Sequence, residues 1–134
     1  MTTGVPALAP PPGLGLADCR DGPMLYPSRD RYVGRSLALY GEYSPGEARL
    51  LRQLVRPGAV VVEAGANIGA LTLPLARMVG AEGAVWAFEP QRLIHQVLCA
   101  NLVMNGIASV RAERVALGAE AGETRVPCLS IGQA

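Results

Sequence analysis

Three successive β-branched residues, Val60-Val61-Val62, break into Glu63-Ala64-Gly65-Ala66-Asn67-Ile68-Gly69, after which the apolar spacing changes from continuous to helical. Such a run suits a strand of a parallel sheet buried on both faces, and the glycines remove side chains where the backbone turns sharply. Ile68, Leu71, Leu75, Met78 and Val79 then form one stripe, which predicts a helix over 68–79 with Pro74 removing an internal hydrogen bond and bending it. Ala84–Phe88 reads as a second buried strand ending in Glu89-Pro90. Ile94, Val97, Leu98 and Leu102 share a face of a second helix over 91–105, stopped by Asn105-Gly106. The stretch SVRAERVAL, 109–117, suits a third strand, with 123–129 as a short extension. A strand, helix and strand in this order put both strand ends on one edge, where ligands bind.

Upstream, Ser44-Pro45-Gly46-Glu47 has the form of a capping box with proline at the first helical position. Leu50, Leu51, Leu54 and Val55 follow at helical spacing, and Pro57-Gly58 closes that helix. The mixed aromatic and aliphatic stretch Tyr32–Tyr43 suits one or two short strands. Residues 1–24, rich in Pro and Gly without a period, are expected to form a flexible arm, because little burial offsets the entropy of ordering them. The expected organisation is therefore an arm at 1–24 and a partial domain at 25–134. Within that domain a lead-in covers 30–58 and a βαβαβ core covers 59–129.

Composition narrows the partners more than it names them. Twelve Arg against eleven Asp and Glu leave a net charge of +1, so no global field draws nucleic acid or an anionic membrane, and neither is expected as a partner. Cys19, Cys99 and Cys128 lack the paired spacing of a zinc site or redox motif; reduced thiols in a cytoplasmic protein without a metal are expected. No basic residue precedes Arg20, which excludes the pattern of a secretory signal, and no apolar run is long enough to span a bilayer.

Two nucleotide-binding turns fail at the glycine turn. A G-x-G-x-x-G fingerprint begun at Gly65 requires glycine at Asn67 and Ala70, and a phosphate loop requires a lysine that the chain lacks. What remains is an acid at a strand end, Gly65, Gly69, and a second acid, Glu89, ending the neighbouring strand. This arrangement resembles that of S-adenosylmethionine-dependent methyltransferases. On that reading Gly65 and Gly69 let the backbone approach the methionine portion of the cofactor, whose carboxylate faces the positive helix end beginning near Asn67. Glu63 accepts from the ammonium, directly or through water, and Glu89 accepts from the ribose diol.

EAGANIGALTLPLA followed by VWAFEPQRLIHQVLCANLVMNG resembles the FkbM family of methyltransferases, in which G-A-N-I-G and F-E-P at this separation are characteristic. GEYSPGEARLLRQLVRPGAVV upstream and VRAERVALG downstream fit the same family, so that the resemblance covers about residues 30 to 128. It implies an α/β, Rossmann-like methyltransferase fold, a three-layer αβα arrangement with a mostly parallel sheet, here stopping after the third core strand. It also implies O-methylation of a hydroxyl on a carbohydrate or secondary metabolite, with S-adenosylmethionine as cofactor. The cofactor-binding set is then Glu63, Gly65, Ala66, Asn67, Ile68, Gly69, Glu89 and Pro90, with Ala116 and Leu117 near the adenine by position.

Two other readings use the same residues. A non-catalytic module would pair its open sheet edge with another chain or with itself, since the triple-valine strand has a neighbour on one side only. A nicotinamide-dependent oxidoreductase domain shares the fold but not the glycine spacing. No residue is an evident base for methyl transfer, and the catalytic set is unassigned. His95 reads as a packed or solvated helix residue, and Pro127-Cys128 lacks the surroundings of a cytosine C5 methyltransferase nucleophile.

Overall fold

The structure is a computed structural model that describes residues 9–132 and residue 134. Its centre is a three-stranded parallel sheet of β3 (Val60–Ala64), β4 (Ala84–Phe88) and β5 (Val110–Glu113), in the order β3-β4-β5. In register, Val61 faces Val85 and Glu63 faces Ala87 across the first pair, and Val85 faces Val110 and Ala87 faces Ala112 across the second. Helix α3 (Thr72–Val79) joins β3 to β4, and α4 (Arg92–Met104) joins β4 to β5. Both turn apolar side chains onto one face of the sheet, where Leu73, Leu75, Val79, Val97, Leu98 and Leu102 bury Val85 and Ala87 completely. Each such aliphatic side chain contributes roughly 1.5–3 kcal/mol on burial.

The other face carries no helix among the described residues. Side chains alternate along a strand, so Val60 and Val62 point away from the helical layer and are 70% and 64% exposed. The expectation of burial on both faces is thereby corrected, while among the described residues β3 lies at the sheet edge, with a neighbour on one side only as the sequence suggests. Trp86, on the same open face, lies under the Arg111 guanidinium at 5.0 Å from its ring centroid.

The front of the chain departs most from expectation. Of the supposed flexible arm, residues 1–8 lie outside the described residues, but Leu14–Cys19 (β1) and Gly22–Pro27 (β2) form an antiparallel hairpin, with Cys19 paired to Gly22 across Arg20-Asp21. It is ordered because other elements supply what its own sequence lacks. Met24 is buried in the common core, and Asn101 of α4 grips β2 as a further strand would. The Asn101 side-chain amide donates to the Leu25 carbonyl at 3.0 Å, and its oxygen accepts from the Leu25 N–H at 2.7 Å. Asn105 donates to the Pro23 carbonyl, and Arg77 donates twice to the Asp21 carbonyl, which holds the hairpin tip.

The stretch expected to form short strands instead contains helix α1 (Val33–Tyr40), which lays Val33 and Leu37 against the hairpin. Asp30 caps it, its two carboxylate oxygens accepting from the N–H groups of Tyr32 and Gly34. Helix α2 (Pro45–Leu54) begins where the capping box places it, but Ser44 has φ +46°, and its hydroxyl donates to the Glu47 carboxylate rather than serving the helix backbone. Helix α3 starts at Thr72, later than expected, because Asn67–Leu71 is taken up by the turn. Pro74 therefore lies in the first helical turn, where its missing N–H has no intrahelical partner to lose, which removes the expected reason for a bend. The third strand is confined to Val110–Glu113, and no strand forms over 123–129.

Candidate functional site

Strand β3 ends by delivering Glu63 and the glycine turn to the mouth of a cavity of about 280 Å³, and the front of the chain closes its far side with Val33, Tyr43 and Glu47. The two glycines have different reasons to be glycine. Gly65 has φ +76° and open space where a side chain would begin, so it leaves the cavity accessible. Gly69 has φ +93°, and a Cβ there would lie 2.8 Å from Leu98 Cδ1; its absence of a side chain lets α4 pack onto the turn rather than bringing a ligand close. Between them Asn67 also takes a positive φ, +52°, which asparagine tolerates because its side chain bonds locally: Oδ1 accepts from the Ile68 N–H at 2.7 Å.

The hydrogen bonds of this turn decide what it can bind. The Gly65 and Ala66 N–H groups both donate to the Phe88 carbonyl, Asn67 donates to Glu89, Ile68 to the Asn67 side chain and Gly69 to the Ala66 carbonyl. Five consecutive amides are engaged inside the protein. A turn that cradles phosphate must aim such amides outward, and this one does not. The positive helix end expected near Asn67 is likewise displaced to Thr72.

Two carboxylates give the cavity its charge. Glu63 accepts a 2.7 Å hydrogen bond from the Thr72 hydroxyl. Burial pushes its carboxyl up to about 7 despite that bond, and the neighbouring Glu47 carboxylate pushes in the same direction. Glu89 stands apart from this pair. It is 6% exposed at the end of β4, and its two oxygens accept from the Asn67 and Gln91 N–H groups at 3.0 and 2.9 Å. It fastens the glycine turn to the start of α4, and each oxygen keeps a further acceptor position.

Of the residues picked out in the sequence, Glu63, Gly65, Ala66 and Asn67 meet at the cavity, and Glu89 touches the same turn from below. Ile68 is fully buried and reaches the site only through its backbone; its carbonyl accepts from Asn101 at 2.8 Å. Pro90 and Ala116 line a different hollow, together with Arg114 and Val126, and Leu117 is exposed. Glu47, Tyr43 and Thr72 were not anticipated. Thr72 had a signal, a polar residue among the apolar positions of α3, whereas Glu47 was hidden by its resemblance to a helix cap. His95 has a packing role: its Nε2–H donates to the Ala112 carbonyl at 3.1 Å and ties α4 to β5.

No family model matches the chain, and no curated protein sequence matches it either. Solved structures do. An S-adenosylmethionine-dependent O-methyltransferase from Thermotoga maritima superposes with a TM-score of 0.50 at 26% identity over 55% of this chain. A protein-L-isoaspartate O-methyltransferase gives 0.52 at 26% over 56%, and the M. jannaschii protein TYW2 in complex with AdoMet gives 0.55 at 20% over 78%. The chain has the Rossmann-like methyltransferase fold. It spans 28%, 24% and 44% of those three chains, respectively.

Proposed function

We propose that this chain carries the cofactor-binding part of an S-adenosylmethionine-dependent methyltransferase of the FkbM kind, which methylates a hydroxyl of a carbohydrate or secondary metabolite. The observation that carries this reading is the pairing of an internally satisfied glycine turn with a cavity lined by two carboxylates. A dinucleotide brings a pyrophosphate, which needs outward amides and is repelled by Glu47 and Glu63. S-adenosylmethionine brings an ammonium and a sulfonium, and it supplies an electrophilic methyl group for displacement by an acceptor oxygen. Glu63 is placed to hold the ammonium, Gly65 keeps the approach open, and the remaining acceptor positions on Glu89 suit a ribose diol. The G-A-N-I-G and F-E-P motifs, joined here by the Glu89 hydrogen bond to Asn67, support the finer assignment to the FkbM kind.

Calorimetric titration of the chain with S-adenosylmethionine and, separately, with NAD tests this. Saturable binding of the first and none of the second is expected. Equal binding of NAD, or no heat with S-adenosylmethionine, overturns the assignment.

A second reading, a non-catalytic module that pairs with another copy, is favoured by one observation: β3 is a sheet edge with Val60 and Val62 exposed beside it. Light scattering over a concentration series decides it, since a protein that stays monomeric throughout does not use that edge.

A further inference from the structure

Beside the acidic cavity lies a second hollow, of about 570 Å³, on the outer side of α1, and its chemistry is the reverse. Arg31, just before α1, and Arg35, in its first turn, lie on its wall, with Tyr32, Tyr40 and Tyr43 around them. Two other arginines near the front of the chain have acidic partners, Arg20 with Glu42 at 3.2 Å and Arg52 with Asp21 at 3.8 Å, and Arg29 donates to the Gly132 carbonyl. Among the described residues Arg31 and Arg35 have no carboxylate partner, and the nearest acid in sequence, Asp30, has both oxygens occupied in capping α1. Tyr32 and Tyr40 are 80% and 75% exposed, an unusual position for two aromatic rings one helix apart unless they serve as a contact surface. Tyr43, half-buried, lines both hollows and forms the wall between them.

We propose that this hollow is the acceptor subsite, and that the acceptor is a small hydroxylated ring compound bearing an oxyanion, a phosphate or a carboxylate. This rests on the reading of the adjoining cavity as the S-adenosylmethionine site. The two guanidiniums hold the oxyanion through charge-assisted hydrogen bonds, the exposed tyrosines cover the ring, and the hydroxyl end of the molecule passes Tyr43 toward the cavity. The division of charge gives the direction. A cationic cofactor belongs with Glu47 and Glu63, and an anionic acceptor belongs with Arg31 and Arg35. Two arginines, one just before a helix of eight residues and one in its first turn, do not make a track for a nucleic-acid backbone, which requires a row of phosphate contacts, and the net charge of +1 offers no further attraction.

The test uses the full chain, the double variant Arg31→Gln/Arg35→Gln, and four probes followed by calorimetry or by shifts of tyrosine resonances: glucose 6-phosphate, glucuronate, glucose, and a short single-stranded oligonucleotide. At least one of the two charged sugars is expected to bind the wild type about tenfold more tightly than glucose, and to lose about that factor in the double variant. Comparison of the two charged sugars tells phosphate from carboxylate. The affinity of the double variant for S-adenosylmethionine is expected to match that of the wild type, which also shows that the variant is folded. Indifference to sugar charge, unchanged affinity in the double variant, or an arginine-dependent preference for the oligonucleotide overturns the proposal. Absence of S-adenosylmethionine binding alongside arginine-dependent sugar binding instead overturns the reading of the neighbouring cavity.

Discussion

Glu63 and Glu89 are the same residue type on the same edge of the same sheet, near the ends of neighbouring strands, and the structure gives them opposite work. Glu89 is the more deeply buried, and both of its oxygens accept from backbone N–H groups. Glu63 has one hydroxyl donor, sits against a second carboxylate, and has its carboxyl pushed up to about 7. Burial alone therefore does not set what an acid does; the groups it faces do. Glu89 is a brace for the turn, and Glu63 is a cavity-facing group whose charge is adjustable near neutral pH.

The contrast is broken most severely by Glu89→Ala. The change orphans the Asn67 and Gln91 N–H groups, and a loss of about 2–4 kcal/mol in unfolding free energy is expected by chemical denaturation, with Glu89→Gln losing less because one acceptor remains. A more gradual effect is expected at Glu63, and its sign follows from the raised folded value. Folded Glu63 holds its proton up to about 7, whereas the unfolded chain releases it near 4.5, so the stabilisation is full below 4.5 and is lost as pH rises through 7. The loss amounts to about 3 kcal/mol, spread over that window. Glu63→Gln is expected to flatten the stability profile over that window, measured by thermal or denaturant unfolding at successive pH values. The charged form is the one that attracts an ammonium, so wild-type affinity for S-adenosylmethionine is expected to rise between pH 6 and 8 while that of Glu63→Gln does not. The mildest change is Glu47→Gln, which removes the neighbouring charge and is expected to lower the Glu63 titration midpoint, read by NMR of the side-chain carboxyl; no movement would detach Glu47 from the pair.

The central βαβ unit was legible because its signals are local. Three valines in a row, a glycine-spaced turn and a second apolar run ending in Glu89-Pro90 each announce themselves within a few residues, and β4 falls on the expected Ala84–Phe88. The hairpin at Leu14–Pro27 was not legible, because its order depends on Asn101, 76 residues away from Leu25, and on a core that its own composition does not suggest. The stretch Tyr32–Tyr43 failed for a related reason. Its aromatic and aliphatic mixture favours strand by propensity, but Asp30 caps a helix there, and Val33 and Leu37 find partners only in the helical form. At the site, residue identity was readable and role was not: Gly69 serves packing, and Glu89 serves the turn before it serves any ligand. Asn101 did leave a trace, a polar residue four positions after Val97 and beside Leu98 on the apolar stripe of α4, fully buried and bonded at once to β2 and to the Ile68 carbonyl.

That one amide also imposes a timetable. The hairpin can close locally within microseconds, but the side chain that secures it is made 76 residues later, and translation at about 5–20 residues per second delays its arrival by roughly 4–15 s. For that interval the nascent hairpin has its own ladder and α1 beside it, but not the α4 side chains that secure β2. The glycine turn, whose Ile68 carbonyl waits for the same amide, matures at the same moment, so the acidic cavity and the front of the chain are completed together rather than in order of synthesis.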